Sequence, residues 1–266
     1  MRSGRIKLAV EDVSKTFRLR ARSGDRLLPV LRHLTFAVED GEIVSLIGES
    51  GCGKTTLLRI VQGLVRHDAG TIRVDGAVVT GPGRDRGFVF QQASLLPWRS
   101  ARHNVEFGLE LQGMAGKERA DRARRLLELV GLGNAGEHYP HQMSGGMQQR
   151  VGLARALAID PAILLMDEPF SALDAQTREV LQRELLAIHA QTGKTILFVT
   201  HDLDEAIYLS NRVIVLAAKP GRIKKIIDIP FGNPRPDLPR LRALPEFQAI
   251  RGEMWDLIAA APPLPA

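Results

Sequence analysis

The sequence of 266 residues contains one cysteine, Cys52, and no long run of apolar residues. A single thiol excludes a disulfide framework within the chain and a zinc site built on cysteines. The histidines show no spacing typical of metal ligands. Apolar stretches such as 213–218 and 257–261 fall far short of the ~20 residues that cross a bilayer. The charged N-terminus leads into no apolar signal segment. We therefore expect a cytosolic chain that reaches a membrane only through a partner.

Basic residues outnumber acidic ones by 36 to 30, and the excess lies in the first 32 residues. That segment holds nine basic and three acidic side chains, whereas the other 234 residues carry 27 of each. A basic chain raises the question of nucleic acid, but an excess confined to one segment argues against a chain-wide nucleic-acid surface. Two interpretations stay open for the cluster around Arg18, Arg20, Arg22 and Arg26: a solvated hairpin, or a surface that attracts nucleotide or anionic lipid.

Short apolar runs alternate with stretches of helical periodicity, and Asp75-Gly76 suits a type I′ hairpin turn. Strands are predicted at 7–17, 30–47, 71–74, 77–79, 162–166, 196–200 and 213–217, and helices at 117–130, 175–190 and 246–258. This alternation predicts an α/β fold with a mainly parallel sheet. The stretch 92–160 is expected to be an inserted helical region, and the chain after Pro220 to be irregular apart from its last helix.

A glycine-rich segment after the predicted strand at 43–47 matches the phosphate-binding pattern GxxxxGK[ST]. Backbone N–H groups of such a loop surround phosphate oxygens, the lysine neutralises the β- and γ-phosphates, and the hydroxyl can ligate Mg²⁺. The alternative is a glycine-rich turn with an exposed lysine. For the cysteine we weigh a tolerated small residue against a thiol whose pKa is lowered at a helix N-terminus. The residues expected to bind nucleotide here are Gly48, Glu49, Ser50, Gly51, Cys52, Gly53, Lys54, Thr55 and Thr56.

Two carboxylates, Asp167 and Glu168, follow the apolar run at 163–166. At a strand tip, Asp167 can enter the Mg²⁺ shell and Glu168 can orient or deprotonate an attacking water. Paired acids after a strand are also common as solvated turn residues, so this pair alone is a weak signal. The segment Met143-Ser-Gly-Gly-Met-Gln-Gln149, 24 residues before Asp167, decides between the two interpretations.

With that segment, the chain resembles the ATP-binding subunits of ABC transporters over nearly its whole length. Five motifs occur in the family's order, and two positions depart from its pattern. Met143 stands where leucine is usual, a volume-conserving exchange. Phe17 is the best candidate for the aromatic that stacks on adenine, which is usually tyrosine; the alternative is an ordinary core phenylalanine at a strand end. The motifs are Walker A (Gly48–Thr55), the Q-loop (Gln91), the signature (Met143–Gln149), Walker B (Met166–Glu168) with the D-loop (Ser171–Asp174), and the switch histidine His201.

The resemblance implies a head-to-tail homodimer that holds two ATP molecules. Each ATP would lie between Walker A of one copy and Ser144, Gly145 and Gly146 of the other, because these residues precede a helix whose positive end attracts phosphate. His201 would contact the γ-phosphate and Asp174 would span the interface. The implied Mg²⁺ ligands are Thr55, Gln91 and Asp167, and the implied catalytic residues are Glu168 and His201.

The resemblance also implies a single ABC ATPase domain over 1–266, built on a P-loop NTPase core. Its nucleotide-binding core takes in 1–91 and 161–235, with an antiparallel β-subdomain at the N-terminus. A helical signature subdomain is expected at 92–160 and a short C-terminal extension at 236–266. The expected partners are two integral-membrane permease subunits and, indirectly, a periplasmic or extracellular solute-binding protein, with no nucleic acid. The chain would then lie peripherally on the cytoplasmic face of the membrane.

Within the family, Leu95-Leu-Pro-Trp98 and the C-terminal pattern around 235–258 are similar to importers of the nitrate/sulfonate/taurine group. The 31 residues from Phe17 to Gly48 leave room for an extended first hairpin, as in that group. An exporter ATPase, an ATP-binding module without turnover and a nucleic-acid-associated ABC ATPase are the alternatives. Repair and chromosome ATPases separate Walker A from the signature by long coiled coils, whereas Lys54 and Ser144 are 90 residues apart here.

Overall fold

The computed structural model describes residues 4–19, 25–232 and 234–259. The chain forms two compact units, one from Met1–Gly83 together with Thr195–Ala266 and the other from Arg84–Lys194. The strands are β1 (Ile6–Leu19), β2 (Arg26–Glu39), β3 (Ile43–Gly48), β4 (Ala69–Val74), β5 (Ala77–Val78), β6 (Arg86–Val89), β7 (Ile163–Asp167), β8 (Thr195–Val199), β9 (Arg212–Ala217) and β10 (Arg222–Asp228). The α-helices are α1 (Lys54–Val61), α2 (Ala101–Leu111), α3 (Gly116–Leu129), α4 (Gly145–Ala158), α5 (Ala175–Thr192), α6 (Leu203–Leu209), α7 (Leu238–Arg242) and α8 (Pro245–Ala259).

The first unit contains an antiparallel sheet with the strand order β2-β1-β4-β5. Phe17 near the end of β1 pairs with Leu28 of β2. Asp75 and Gly76 between β4 and β5 have φ of 48° and 80°, as a type I′ turn requires at both central positions. The predicted hairpin at this point is therefore confirmed. Of the basic cluster, Arg20 and Arg22 lie outside the described residues.

A second group of strands in this unit follows the order β10-β9-β3-β8. β3 pairs in parallel with both β8 and β9, and all six of its residues are buried. A strand covered on both faces needs such a continuous apolar run. The stretch predicted as strand over 30–47 contains β2 and β3, separated by a turn at Asp40 and at Gly41, whose φ is 71°, and the buried strand predicted at 43–47 is β3.

The expectation of irregular chain after Pro220 is wrong. β10 pairs antiparallel with β9, and α7 and α8 follow it. Along β10 only Ile227 is buried and Ile223 half-buried, while Lys224 and Lys225 are exposed, as expected of an edge strand protected by charge. The prolines of this segment favoured an irregular structure, but Pro220 precedes the strand and does not interrupt it.

The second unit holds helices α2 to α5 and the parallel strand pair β6 and β7. Each predicted helix in it has the expected stop or start. α3 ends before Gly131, which has φ of 70°, and Gly193 with φ of 61° ends α5. Ser100 caps α2 by accepting a hydrogen bond from the His103 amide.

The fold class predicted from the sequence, an α/β P-loop architecture with a mainly parallel sheet and an N-terminal antiparallel subdomain, is confirmed. The predicted domain limits at 91/92 and 160/161 stay predictions. In the described part of the chain, no helix has both the length and the apolar character needed to cross a membrane.

Candidate nucleotide-binding site

The first unit presents a phosphate-binding loop between β3 and α1. Lys54, the first residue of α1, folds back over the loop so that its Nζ lies 2.7 Å from the Gly48 carbonyl oxygen and 3.1 Å from that of Glu49. Its side chain is buried, with 7% of the residue exposed. Three features therefore lie together in this loop: an ammonium group, the N-terminus of an eight-residue helix and a run of loop amides. All three favour a polyphosphate.

The loop's glycines are required by its close contacts. A Cβ atom on Gly53 would lie 2.4 Å from Leu31 Cδ2, and one on Gly48 would lie 2.6 Å from the Leu216 carbonyl oxygen. Gly51 and Gly53 also have φ of 80° and 96°, a region that favours glycine. The alternative of a loose turn with an exposed lysine does not describe this loop.

Cys52 is fully buried inside the loop. Burial raises the pKa of its thiol, although the Lys54 ammonium, 3.8 Å from the sulfur, acts in the opposite direction. The hypothesis of a thiol with a lowered pKa is therefore wrong. Desolvation of the thiolate outweighs the favourable charge and the helix N-terminus. The cysteine serves as a small buried side chain.

Phe17 is half-buried on β1, with the Lys15 ammonium 5.2 Å from its ring centroid. Asp68 holds this segment of β1 by accepting hydrogen bonds from Lys15 Nζ at 2.8 Å and from the Thr16 amide at 2.6 Å. Phe17 is therefore not fully buried, and its stacking on adenine stays a prediction. Its position is fixed by neighbouring polar contacts.

The second unit brings together the predicted acidic and Q-loop residues. Asp167 ends β7, and Glu168 follows it with φ of 47°, which is uncommon for a residue other than glycine. Both are half-buried. The Ser171 hydroxyl donates to the Glu168 carbonyl oxygen at 2.9 Å, and Gln91 Nε2 donates to Ser171 Oγ at 3.1 Å. Ser171 therefore links Gln91 to the Glu168 turn, a role that the sequence indicated only through its place at the start of the D-loop.

The signature residues form the predicted helix start. Ser144 is the N-cap of α4, and its side chain accepts a hydrogen bond from the Met147 amide at 3.3 Å. Ser144 and Gly145 are exposed, whereas Gly146 is buried. Asp174 caps α5 in the same way, accepting from the Thr177 amide at 3.0 Å. Hydrogen bonds from Thr177 lower the pKa of the Asp174 carboxyl, so it is ionised at neutral pH.

Two side chains of α4 hold the backbone around Gln91. Neither contact was predicted from the sequence. Gln149 Nε2 donates to the Phe90 carbonyl oxygen at 2.9 Å. Arg155 donates to the carbonyl oxygens of Ala93 at 2.7 Å and Ser94 at 2.8 Å. Their spacing along α4 gives no sign of a distant backbone partner.

His201 lies in the first unit, exposed, two residues after β8 ends. Asp202 next to it is the N-cap of α6, with its carboxylate accepting from the Glu205 amide at 3.1 Å. The N-cap position of α6 thus belongs to Asp202, and the role of His201 stays a prediction.

A strand, a phosphate-binding loop and a helix in one unit, with a capped glycine pair and a strand-end acid pair in the other, define an ATP-binding cassette. The ABC transporter family profile matches residues 31–171. An uncharacterized ABC transporter ATP-binding protein of Methanocaldococcus jannaschii is 52% identical over 231 residues, which cover 87% of this chain and 85% of that protein. This chain belongs to the ABC transporter family and is an ATPase of that family.

Other similar proteins carry more specific names. The nitrate import ATP-binding protein of Synechocystis sp. is 47% identical over 86% of this chain and 87% of its own length. The taurine import ATP-binding protein of Yersinia pestis is 45% identical over 85% of this chain and 90% of its own length. An ATP-binding cassette solved as a dimer in a post-hydrolysis state, bound to ADP and Pi, matches with a TM-score of 0.72. It is 34% identical, and the match covers 84% of this chain and 98% of that one.

Proposed function

We propose that this chain is the ATP-hydrolysing subunit of an importer that drives uptake of a small solute such as nitrate, an alkanesulfonate or taurine through two permease subunits. The observation that carries this proposal is the similarity, at 45–47% identity, to ATP-binding proteins named for nitrate import and for taurine import. As the energising subunit of such a complex, the chain would act at the cytoplasmic face of the membrane as a peripheral protein. The solute would be bound by other subunits.

ATP binding is assigned to the P-loop of the first unit. The loop amides and the N-terminus of α1 would accept the phosphates, with Lys54 supplying a positive charge that is already desolvated and therefore strong. The half-buried ring of Phe17 offers a π-face to the adenine. A phenyl ring retains this face and lacks only the hydroxyl of the usual tyrosine.

Mg²⁺ is assigned to Thr55, Gln91 and Asp167. Their hydroxyl, amide and carboxylate oxygens are the hard donors that this ion prefers, and none of the three residues is buried. A bound Mg²⁺ would neutralise charge on the β- and γ-phosphates.

Hydrolysis is assigned to Glu168 and His201, with a second copy of the chain completing the site. The Glu168 carboxylate would accept a proton from the attacking water, and its backbone is held by the Gln91–Ser171 link. The exposed cap of α4, at Ser144 and Gly145, would face the γ-phosphate bound by the other copy. His201 would contact the same phosphate, and ionised Asp174 would lie at the interface of the two copies.

The permease contact is assigned to the loop after Gln91. Trp98 is 71% exposed and Phe90 is 42% exposed, while Leu95 and Leu96 are half-buried. The half-buried leucines pack the loop down, and the exposed tryptophan remains available to a partner. Exposed aromatics at a protein surface mark contact sites more often than isolated aliphatic residues do.

A Glu168→Gln variant tests the catalytic assignment, with Glu118→Gln, an exposed acid of α3, as the matched control. Glu168→Gln should bind ATP, dimerise in its presence as measured by light scattering, and fail to turn over, because the amide cannot take the proton. Near-normal turnover would refute the role of Glu168.

For the importer assignment, the chain is co-expressed with its permease, and uptake of labelled nitrate, alkanesulfonate and taurine is measured in vesicles. Uptake of none of them, with an assembled complex, would refute the substrate class.

A further inference from the structure

The helix that follows His201 is too short to fix its own position. α6 has seven residues, Leu203–Leu209, and begins two residues after the histidine. Asp202 joins the two, with its amide donating to Thr200 Oγ1 at 3.0 Å. A helix of two turns is not stable by itself in water. The place of α6, and with it that of His201, therefore depends on the elements that hold the helix.

Two arginines of the C-terminal segment converge on the first turn of α6. Arg242, the last residue of α7, places Nε 2.7 Å from Asp204 Oδ2, and Arg251 of α8 places Nε 2.8 Å from Asp204 Oδ1. The Asp204 side chain is only 18% exposed. A carboxylate in a first turn is already favoured by the helix dipole. The arginines therefore add less to helix formation than to its orientation, since each carboxylate oxygen is held from a different helix.

A third arginine holds the opposite end of α6. Arg235 donates from Nη1 to the Ile207 carbonyl oxygen at 2.7 Å and to that of Tyr208, and from Nη2 to the Ser210 carbonyl oxygen. These carbonyls belong to the group that a helix leaves without internal partners at its C-terminus, where a cation is also favourable. Burial lowers the pKa of Arg235 to about 10, so the guanidinium still carries its charge at neutral pH.

The segment that supplies the arginines is packed into the first unit. Leu238 and Leu241 of α7 are buried, as are Phe247 and Met254 of α8. The Phe247 ring stacks on Phe231, with centroids 6.2 Å apart. The arginines thus project from a fixed support.

We propose that Arg235, Arg242 and Arg251 are positioning residues for His201: by holding both ends of α6, the C-terminal segment sets where the histidine lies relative to the P-loop-bound nucleotide. This inference rests on the proposed role of His201. It gives the C-terminal segment a function in turnover beyond packing. Small displacements of a reacting group can lower the rate up to about 100-fold. Loss of the ion pairs should therefore lower kcat more than it weakens ATP binding.

The test compares Arg242→Ala/Arg251→Ala with Arg240→Ala, an exposed arginine of the same α7 with no ion pair to Asp204. The double variant should lower kcat about tenfold, with the Kd for a fluorescent ATP analogue unchanged and the circular dichroism retained. Arg240→Ala should match the wild type, and Arg242→Lys/Arg251→Lys should recover part of the rate. If the double variant folds poorly, Asp204→Asn replaces it in the test. This isosteric substitution weakens the same ion pairs from the side of α6 and should also lower kcat. A folded Asp204→Asn or double variant with wild-type kcat overturns the proposal.

A cycle with His201→Ala separates this inference from the proposed function. If the arginines act through the histidine, adding Arg242→Ala/Arg251→Ala to His201→Ala should not lower the residual rate further. A multiplicative loss would show that they act elsewhere and overturn the proposal. If His201→Ala itself turns over normally, the role of His201 fails first. If His201→Ala is impaired and the arginine variants are not, the positioning role alone is wrong.

Discussion

The two signature glycines differ in what surrounds them, and this difference makes a quantitative prediction. A Cβ on Gly146 would lie 2.8 Å from Cγ2 of Thr177 on α5, whereas one on Gly145 would lie 3.4 Å from Leu173 Cδ2. The first contact is closer than side chains tolerate, and the second is an ordinary contact. Gly146→Ala should therefore force α4 and α5 apart at the signature, while Gly145→Ala should leave their packing intact.

The magnitude follows from two opposing effects. Replacing glycine by alanine in a helix stabilises it by up to about 1 kcal/mol, and overpacking a close contact costs about 1–3 kcal/mol. Gly146→Ala should thus lower the free energy of unfolding by about 1 kcal/mol, a fall in Tm of about 2–4 °C for a chain of this size. Gly145→Ala should be neutral or slightly stabilising.

The decisive variant combines Gly146→Ala with Thr177→Ser. Serine lacks the clashing methyl group but keeps the hydroxyl and the backbone amide that bonds Asp174. Thermal unfolding and ATP turnover of the four proteins in this cycle are measured together. Both stability and turnover lost in Gly146→Ala should return in the combined variant. If Gly146→Ala unfolds like the wild type, or if Thr177→Ser gives no recovery, the packing argument is wrong.

Two further predictions use perturbed ionisation. Because burial raises the pKa of Cys52 and shields it, iodoacetamide should label the thiol only after unfolding, as followed by mass spectrometry; stoichiometric labelling of the folded chain within minutes would contradict this. For Asp68, burial acts to raise the carboxyl pKa, but hydrogen bonds from Lys15 and Thr16 outweigh it and lower the pKa below its usual 3.8. Its stabilisation is therefore present above that pH and is lost as pH falls through the folded pKa. In urea unfolding, the wild type should exceed Asp68→Asn in stability at about pH 7, and the gap should shrink towards about pH 3; a gap that widens on acidification would refute the sign.

The loop and the caps could be predicted because their causes are local. A glycine pattern, a lysine and a preceding apolar strand specify the P-loop, and Ser144 and Asp174 each stand immediately before a helix whose amides they cap. The positive φ of Asp75 and Gly76 could likewise be predicted, because an Asp-Gly pair favours the type I′ turn. Such features depend on neighbours in the sequence, so one chain suffices to find them.

Features set by distant partners escaped prediction. For Cys52 the sequence left open a small tolerated residue or a thiol of lowered pKa, and only its burial in the fold decides for the first. β10 became visible only through its pairing with β9, and Asp204 reads as a routine first-turn acid until Arg242 and Arg251 reach it across 38 and 47 residues. No periodicity encodes such pairings, because the partners are brought together by the fold.

Hydrogen bonds from α4 connect the helix that starts at the signature to the backbone on both sides of Gln91. Gln149 holds the carbonyl just before Gln91, and Arg155 holds the two carbonyls that begin two residues after it. Burial lowers the pKa of Arg155, because the guanidinium that makes these hydrogen bonds is desolvated. The same helix starts at Ser144. A displacement of the signature must therefore either move the backbone on both sides of Gln91 or break the hydrogen bonds of Arg155. Each hydrogen bond from such a charged group contributes about 1.5–3 kcal/mol. We therefore expect a shift of α4 at Ser144 to move the backbone next to Gln91 as well, because Gln149 and Arg155 tie the two together.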